Sequence, residues 1–553
     1  MGMWSKPVPS RVGRRCRAGE GVLMIFAILS GGLSALVFPP FEQHLLVWFS
    51  LVPLLTALLK CDGTRRAAAL GSVSGLSFGL VVLAPLRSGH LWTGWAAIPL
   101  EMLDAAQARH AWFLVVLWLV GSLLMAAFWA AFATFFRLVT SRRCSLAIVV
   151  GPCLWVLVPE YLRSLALGGF HWALLGNAAA AVPQIRQLAA VGGVWLISAL
   201  VIAVNVAFAV YVASPKKRRP WVVCIAVAAL VAVALLWGQW RLRSPARTEP
   251  SVGVVALQHG AAENASTASL TTGLDRTILA EVNTTIERLD GRFRLLVLPE
   301  SVTLGTLSLD STVSSGRPLG LQHSAGAWES TFEKLIGGRD MALILGTDTV
   351  EKGQVYNSMV AFTSRGISGW YHKRRLVPFA ERTPRLWPGS PRGGLQYSSG
   401  NDPRPISVSG LDLGVLICQE VLFPSLVRES VRAGATILVS GGNDGVFANH
   451  AVAEVNARAA QLRAVESGRY LVRAMKTGIT AVIDPAGVEV ARSESDGPTV
   501  ILAKVEPLED STPYTRFGDW VVLVAAAGVM AAWLVARRRR LFDSPQESRT
   551  FSS

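Results

Sequence analysis

Gly414-Val-Leu-Ile-Cys418-Gln-Glu420 is the stretch that decides the fold of the water-soluble part of this chain. An apolar run ends here in a thiol, and a helix-like segment begins near Pro424. A turn between a strand and a helix suits a nucleophile, because it exposes the sulfur and the helix N-terminus favours the thiolate. An isolated buried cysteine is more often a small apolar residue, so the assignment depends on what accompanies Cys418.

Two further apolar runs end in charged residues. Arg294-Leu-Leu-Val-Leu-Pro-Glu300 and Ile367-Ser-Gly-Trp-Tyr-His-Lys373 each predict a strand with the charge at its end. A carboxylate, an amine and a thiol at three strand ends form a plausible catalytic set. Glu300 would take the thiol proton, and Lys373 would hold the carboxylate and stabilise the oxyanion formed on attack. Taken separately, Glu300 also suits a loop cap, and Lys373 suits the solvated basic run formed with the next two arginines.

Apolar runs alternate with helix-like segments through about 250–507, a pattern that predicts a layered α/β domain. The apolar runs are 251–257, 295–298, 343–346, 358–362, 413–417, 436–439, 470–473 and 481–483, and the helix-like stretches are 273–290, 325–337, 424–433 and 450–467. Two stretches, about 301–324 and 382–404, look irregular and exceed the usual connection length, as lids and disordered loops do.

Glu300, Lys373 and Cys418, in this order and with these flanks, resemble the nitrilase (carbon–nitrogen hydrolase) superfamily. Four flanking stretches are similar to its membrane-embedded branch, the apolipoprotein N-acyltransferases: 344–349, Tyr356-Asn-Ser358, Tyr371-His-Lys-Arg-Arg-Leu-Val-Pro-Phe379 and Gly478-Ile-Thr-Ala-Val-Ile-Asp-Pro-Ala-Gly487. The resemblance implies an αββα sandwich for the α/β domain.

The resemblance also implies supporting residues around the catalytic set. Glu381 and Glu420 match acids that order Lys373 and its loop, and Tyr356 with Asn357 matches a support for the strand that carries Lys373.

Candidate contacts with lipid or acceptor lie in two regions. The family has an aromatic residue after the cysteine and a Trp in Asn-Asp-x-Trp-Phe, whereas this chain has Gln419 and Val446, the latter followed by Phe447. Leu386 and Trp387 fall in the second irregular stretch and could dip into lipid at the mouth of the site, although a surface loop explains them equally well.

The composition indicates a membrane protein, with 51% hydrophobic and only 16% charged residues. Apolar runs long enough to span a bilayer lie near 21–39, 44–59, 67–86, 112–136, 145–166, 190–213, 220–238 and 519–536. The first follows several arginines, as a signal peptide would, but no clean cleavage site follows it and a retained helix is expected.

Basic clusters predict the orientation of these spans. They lie at Lys6 to Arg17, Lys60 to Arg66, Arg137 to Arg143, Lys216 to Arg219 and Arg537 to Arg540. About eight spans place all five in the cytoplasm, with three arginines at 241–247 as a mild exception. The predicted organisation is therefore a membrane domain at 1–245 with seven helices, a catalytic domain at 250–507 outside the cytoplasm, an eighth helix at 519–536 and a cytoplasmic tail at 537–553.

The net charge of +16 does not indicate nucleic-acid binding, because residues 251–507 carry 25 basic and 25 acidic residues. The excess belongs to the membrane part, where it reports topology and attraction to anionic lipids. Cys418 is the only one of six cysteines within 251–507, which leaves no partner there for a disulfide. No His/Cys spacing indicates a metal, and no glycine-rich loop indicates a nucleotide cofactor.

The resemblance implies an enzyme of the bacterial inner membrane with its catalytic domain on the periplasmic side. Its acyl donor would be a membrane phospholipid and its acceptor the diacylglyceryl-modified N-terminal cysteine of an apolipoprotein, with no metal or soluble cofactor. One alternative is a membrane-anchored carbon–nitrogen hydrolase or amidase acting on a smaller amide. Another is a transporter or scaffold with an inactive soluble domain, which the scarcity of ionisable residues in the spans disfavours.

Overall fold

The computed structural model describes residues 12–85, 103–141, 146–166, 169, 171–215, 220–243, 251–260, 276–288, 293–301, 306–309, 322–323, 336, 339–378, 381–382, 397–447, 450–493 and 497–542. These residues form an apolar helical region, an α/β domain and a further long helix after it.

The helical region contains the described residues before 250. Its helices are α1 Val12–Ala35, α2 Val52–Lys60, α3 Gly63–Val82, α4 Leu103–Thr140, α5 Ala147–Trp155, α6 Arg163–Leu165, α7 Leu175–Ala179, α8 Pro183–Arg186, α9 Ala189–Ala213 and α10 Trp221–Arg243. A 3₁₀ turn, His44–Trp48, precedes α2, and a π-helical segment, Val156–Leu162, joins α5 to α6. Small residues allow α3 and α4 to pack closely: a Cβ at Gly71 would lie 2.5 Å from the carbonyl oxygen of Trp129.

Within the described residues, four helices are long and apolar enough to cross a bilayer: Leu114–Thr140, Ala147–Leu165, Ala189–Ala213 and Trp221–Arg243. Shorter apolar helices lie at Gly19–Ala35, His44–Lys60 and Trp520–Val535. The lateral face of α10 leaves large apolar side chains uncovered, among them Leu236 at 71% and Trp240 at 66% exposure. Such a face is unfavourable in water and favourable in lipid. The helices support a membrane protein, and the count of eight crossings remains a prediction.

The α/β domain contains strands β1 Val252–Gln258, β2 Phe293–Val297, β3 Thr306–Ser308, β4 Gln322–His323, β5 Ala342–Glu351, β6 Gln354–Thr363, β7 Gly366–His372, β8 Ile406–Val408, β9 Leu411–Ile417, β10 Ile437–Gly442, β11 Leu471–Met475, β12 Ala481–Ile483, β13 Glu489–Arg492 and β14 Thr499–Val505. The helices that follow α10 are α11 Arg276–Arg288, α12 Pro424–Arg432, α13 His450–Ser467, α14 Pro513–Phe517 and α15 Trp520–Phe542.

The strands form two sheets. The first has the order β14-β1-β2-β5-β3-β4, with β6 paired to β5 and β7 paired to β6; the second has the order β13-β12-β11-β10-β9-β8. Strands β1, β2 and β5 run parallel, as do β9, β10 and β11. Their nearly continuous apolar sequences follow from burial on both faces.

The two sheets pack face to face with helices outside. Leu295 and Val297 of the first sheet share a core with Val415 and Val439 of the second. Helix α11 covers the outer face of the first sheet, and α12 and α13 cover the outer face of the second. The α/β domain is therefore an αββα sandwich, as expected.

The apolar runs predicted as strands coincide with β1, β2, β5, β6, β9, β10, β11 and β12. The expectation that 301–324 is irregular throughout is wrong, because β3 and β4 lie within it. These strands have three and two residues, too few to display a period. Within the expected helix 325–337 only residue 336 is described.

Candidate active site

The structure brings Glu300, Lys373 and Cys418 to one edge of the sandwich. Glu300 follows β2, Lys373 directly follows β7, and Cys418 directly follows β9. The end of β10 lies between Glu300 and Cys418. A Cβ at Gly441 would lie 3.5 Å from the Glu300 nitrogen, and a Cβ at Gly442 would lie 3.2 Å from the Cys418 Cα. Carboxyl ends of parallel strands are the usual site of ligand binding in α/β sheets.

The carboxylate and the amine form a buried network with two further residues. Lys373 Nζ donates to Glu381 Oε1 at 2.8 Å and to Glu300 Oε1 at 3.5 Å. Asn357 Nδ2 donates to the same two oxygens, at 2.6 Å for Glu300 and 3.0 Å for Glu381. Burial alone lowers the pKa of the Lys373 ammonium, but the two carboxylates raise it well above its ordinary value. Lys373 is therefore a fixed cation at neutral pH.

Cys418 occupies a strained position suited to a nucleophile. Its φ is +54°, in the left-handed region that non-glycine residues rarely adopt. Such strain persists only where the surrounding structure enforces it, and it clusters at functional sites. The conformation turns the chain sharply out of β9 into a 3₁₀ turn, Cys418–Leu422, and leaves the side chain partly exposed.

The sulfur is a thiol at rest, contrary to the expectation that a helix N-terminus favours the thiolate. Loss of water around the sulfur and the nearby Glu300 carboxylate raise the pKa of Cys418, and Lys373 opposes them only in part. The residues after Cys418 form a short 3₁₀ turn, and α12 begins only at Pro424, so Cys418 does not lie in the first turn of that helix. The thiol therefore needs a base, and Glu300 is the carboxylate whose charge acts on it most strongly.

Glu420 connects the cysteine segment to the lysine segment. Its Oε1 accepts the backbone N–H groups of Arg374 at 2.7 Å and Arg375 at 2.9 Å. Its Oε2 accepts the N–H of Ile417 at 2.9 Å and the hydroxyl of Tyr371 at 3.0 Å. One buried carboxylate thus holds the residues beside Lys373 against the residue before Cys418.

This arrangement supports acyl transfer through a covalent intermediate. A partly exposed thiol lies beside a carboxylate able to accept its proton and an ammonium able to stabilise an oxyanion. Gly346 belongs to the scaffold of this site, because a Cβ there would overlap the Glu300 Cα. Any larger residue would displace the carboxylate-bearing segment.

Comparison with known proteins assigns the two halves of the chain to related families. The carbon-nitrogen hydrolase family model matches residues 257–514, and the model of the apolipoprotein N-acyltransferase N-terminal domain matches residues 30–207. The apolipoprotein N-acyltransferase of Photobacterium profundum is 25% identical over 94% of this chain and 95% of its own length. The corresponding protein of Gloeobacter violaceus is 29% identical over 95% of each chain.

The chain is an acyltransferase that is similar to the apolipoprotein N-acyltransferases over nearly its whole length. A solved carbon-nitrogen hydrolase from Helicobacter pylori G27 aligns with 53% of this chain and 97% of its own, at 17% identity and a TM-score of 0.35. Because both the soluble and the membrane portions match, the protein is an acyltransferase of the membrane branch rather than a carbon–nitrogen hydrolase that has acquired unrelated helices.

The remaining predicted residues of this N-acyltransferase differ in where they lie. Asn357 is in the site, whereas Tyr356 lies beside it: its ring stacks on His372 at 4.0 Å and its hydroxyl donates to Gln354. Tyr356 thus contacts the strand that carries Lys373 without reaching Glu300. Gln419 is partly exposed next to Cys418.

The predicted lipid contacts are only partly described. Val446 and Phe447 lie in the short turn Asp444–Phe447, and for these two residues the backbone alone is described. Leu386 and Trp387 lie outside the described residues.

Sequence reasoning missed an aspartate–tyrosine pair behind the site. Tyr397 donates to both carboxylate oxygens of Asp348, at 3.0 and 3.1 Å, and its N–H donates to the carbonyl of Glu381. Burial raises the pKa of Asp348 to about 6, with the charges of Glu300 and Glu381 adding to it against the bonds from Tyr397. Asp348 lies inside a stretch that carries the family resemblance, but Tyr397 belongs to a segment without periodicity, so only the folded chain joins them.

Proposed function

We propose that this enzyme transfers an acyl chain from a membrane phospholipid to the α-amino group of the N-terminal diacylglyceryl-cysteine of an apolipoprotein, through a thioester on Cys418. The observation that carries the proposal is the strained Cys418 beside the buried Glu300 and Lys373, on a chain whose membrane portion also matches the N-acyltransferase family.

In the first half-reaction Glu300 accepts the thiol proton, and the sulfur attacks an ester carbonyl carbon of the phospholipid. The carbonyl oxygen becomes an oxyanion, which Lys373 and backbone N–H groups near the sulfur stabilise. The C–O bond to glycerol then breaks, Glu300 returns its proton to the glycerol oxygen, and a lysophospholipid leaves. The acyl chain remains on Cys418 as a thioester.

In the second half-reaction the α-amine of the apolipoprotein attacks the thioester carbon. Glu300 takes a proton from the nitrogen as the C–N bond forms, and the C–S bond breaks. The sulfur regains a proton from Glu300, which restores the resting thiol and releases the amide product. Glu381, Asn357 and Glu420 contribute by holding Lys373 and Glu300 in place.

An apolar groove between the two domains supports a lipid substrate. It is small, and it is lined by Phe38 and Val82 of the helical region and by Val452 and Val455 of α13. Acyl chains favour such surroundings by about 0.8 kcal/mol per buried methylene. A membrane-anchored amidase acting on a smaller amide is not favoured, because the relatives that match nearly the whole chain are N-acyltransferases.

Mass spectrometry of the intact enzyme tests the chemistry. Incubation with a phospholipid adds one acyl group to Cys418 of the wild type, and an apolipoprotein acceptor removes it. Cys418→Ala acquires no acyl group, and Cys418→Ser loses turnover. Turnover by an enzyme whose Cys418 never becomes acylated would exclude the thioester mechanism.

We further propose that about eight helices cross the inner membrane and that the catalytic domain faces the periplasm. The basic clusters between apolar runs support this orientation. A reporter active only outside the cytoplasm gives a signal when fused near Ser311 and none when fused after Arg540. The reverse pattern would contradict the orientation while leaving the chemistry untouched.

A further inference from the structure

Lys476 is a second cation at the catalytic edge, and the proposed chemistry does not use it. It directly follows β11, two strands from Cys418 in the parallel part of the second sheet. Its N–H donates to Gly442, and its carbonyl accepts from Gly260, both at 2.8 Å. The backbone of Lys476 is therefore held from both sides, and its partner Gly442 lies close to Cys418, since a Cβ added there would be 3.2 Å from the Cys418 Cα.

The ammonium of Lys476 points toward the base without pairing with it. Its Nζ donates to the carbonyl oxygen of Ser301, the residue after Glu300, at 3.4 Å. Across the part of the chain that the structure describes, no carboxylate lies within ion-pair distance of this nitrogen, and the side chain remains partly exposed. The Glu300 carboxylate is already engaged by Asn357 and Lys373. The site therefore contains a cation whose charge is available to a ligand.

We propose that Lys476 binds the phosphate diester of the acyl donor, so that the enzyme favours a phospholipid over a neutral diacylglycerol with the same acyl chains. This inference rests on the proposed function, and it adds a residue that determines donor specificity.

The geometry agrees with the chemistry of such a donor. Adjacent strands lie about 4.8 Å apart, so the backbones at Cys418 and Lys476 are separated by about 10 Å. The Lys476 ammonium and the Cys418 sulfur both lie near the Glu300–Ser301 segment. In a phospholipid only the glycerol carbons and two ester oxygens separate the acyl carbonyl from phosphorus. A donor whose carbonyl meets the sulfur therefore brings its phosphate within reach of the ammonium. Lysine is a common phosphate ligand that acts as a point charge.

The electrostatics of the free site point the same way. Burial lowers the pKa of Lys476, and the Glu300 carboxylate only partly restores it. A phosphate placed against the ammonium would raise that pKa, so the protonated lysine and the anionic donor stabilise each other.

A different role for Lys476 is to support the turn after Glu300, since Ser301 has a φ of +50° and accepts the lysine's hydrogen bond. That role predicts an equal effect on every donor, which separates it from phosphate binding.

The test compares acyl loading of Cys418 from phosphatidylglycerol and from diacylglycerol with identical chains, in detergent micelles, for the full-length wild type and three variants. In Lys476→Gln we expect KM for phosphatidylglycerol to rise about 10- to 100-fold, the range for losing a hydrogen bond to a charged group, with kcat nearly unchanged. Loading from diacylglycerol stays at the wild-type rate. Lys476→Arg retains most of the preference, because it keeps the charge. Lys504→Gln is the matched control, since it removes an exposed charge from β14, an edge strand of the first sheet.

Each other outcome overturns the inference. An equal loss with both donors would assign Lys476 to the turn after Glu300, and no loss with either would remove it from the site. Inorganic phosphate added to the diacylglycerol reaction should leave loading unchanged; inhibition that disappears in Lys476→Gln would assign the site to free phosphate instead of a lipid headgroup. Failure of the proposed function has a separate signature, because the wild type would then load no acyl group from any donor.

Discussion

Replacing Glu420 with glutamine tests whether the hydrogen bonds that Glu420 accepts from the segments carrying Lys373 and Cys418 control the reaction rate. The carboxylate accepts three backbone N–H groups and the Tyr371 hydroxyl, and a glutamine can accept on one side only. In the favoured orientation of the glutamine side chain, its carbonyl oxygen keeps the hydrogen bonds from the N–H groups of Arg374 and Arg375. Its NH₂ group then faces Ile417 and Tyr371. The tyrosine hydroxyl can rotate and accept, but the Ile417 N–H, one residue before Cys418, has nothing to donate to.

One buried donor without a partner costs about 1–3 kcal/mol. This is less than the usual stability of a domain, about 5–15 kcal/mol, so the Glu420→Gln protein should still fold. Its activity should suffer more, because the strained turn at Cys418 shifts relative to Lys373, and a displacement of about 1 Å can cost about 100-fold. We expect a fall of about this size in the single-turnover rate of Cys418 acylation, with a small drop in Tm.

Glu429→Gln is the matched control for this experiment. Glu429 also binds Arg374, through the guanidinium at 2.6 Å, but its side chain is 45% exposed. A surface ion pair contributes about 0–1 kcal/mol, so the control should keep its rate to within about two-fold. Equal losses in the two variants, or full activity in Glu420→Gln, would refute the idea that Glu420 holds the active geometry.

Three further predictions concern charge at the site. Lys373→Ala should lower the rate of acyl transfer by at least about 10²- to 10³-fold, and Lys373→Arg should not restore it. Arg375→Ala should keep much of the activity. Equal losses at the two positions would instead indicate that the site needs only general positive charge. Alkylation of Cys418 by iodoacetamide should be slow at pH 7 and should accelerate above pH 9, because the pKa of this thiol is raised. A fast alkylation rate that stays constant below pH 7 would contradict a resting thiol. The pKa of Asp348 is raised from 3.8 to about 6, so the folded state binds this proton more tightly than the unfolded state and stability declines as pH rises from about 4 to 6. Asp348→Asn should therefore raise Tm by a few degrees at pH 7.5, and the gain should disappear near pH 4; a gain independent of pH would exclude titration of Asp348 as its cause.

The sequence predicted the parts of the site that lie at the ends of regular elements. Glu300, Lys373 and Cys418 each follow a strand, and the ends of strands are where the side chains of an α/β site usually meet. Glu300 and Lys373 come from the first sheet and Cys418 from the second, so their approach depends on how the two sheets pack. The family resemblance supplied Glu381, Glu420 and Asn357, although the distances that join them are visible only in the folded chain. The supporting carboxylates of Glu381 and Glu420 come from loops, where no periodicity indicates direction.

The strands and contacts that the sequence did not predict lack a local sequence pattern. Strands β13 and β14 lie at sheet edges and alternate partly buried with exposed residues, so they lack the continuous apolar runs of the central strands. Asp348 and Tyr397 pair across 49 residues, and Lys476 reaches Ser301 across 175. Contacts at such separations depend on sheet order, which short patterns do not encode.

A side chain of the catalytic domain accepts a backbone hydrogen bond from a broken helix of the membrane domain. Helix α9 is interrupted at Gly192 and Gly193, where Gly193 has a φ of +65°, and the break deprives Val194 of a helical acceptor. The carboxylate of Glu466, from α13 of the catalytic domain, accepts the Val194 N–H at 3.0 Å. Next to it Trp195 donates to Asp519 at 2.9 Å. Because an unsatisfied backbone group in an apolar region costs several kcal/mol, α9 depends on the catalytic domain for its shape.

The same helix α13 carries this connection to the nucleophile. Arg463 donates to Glu466 at 2.8 Å and to the carbonyl of Leu422 at 3.3 Å, and Leu422 ends the turn that begins at Cys418. Three buried hydrogen bonds and one 3₁₀ turn therefore lead from the break in a membrane helix to the reactive sulfur. A soluble hydrolase can let its substrate diffuse to any orientation, but an enzyme whose substrates stay in the bilayer must hold its nucleophile at a fixed height above the lipid. The hydrogen bonds from Val194 to Leu422 support such a constraint, and they add to the apolar contacts that Leu462 and Val465 make with the helical region.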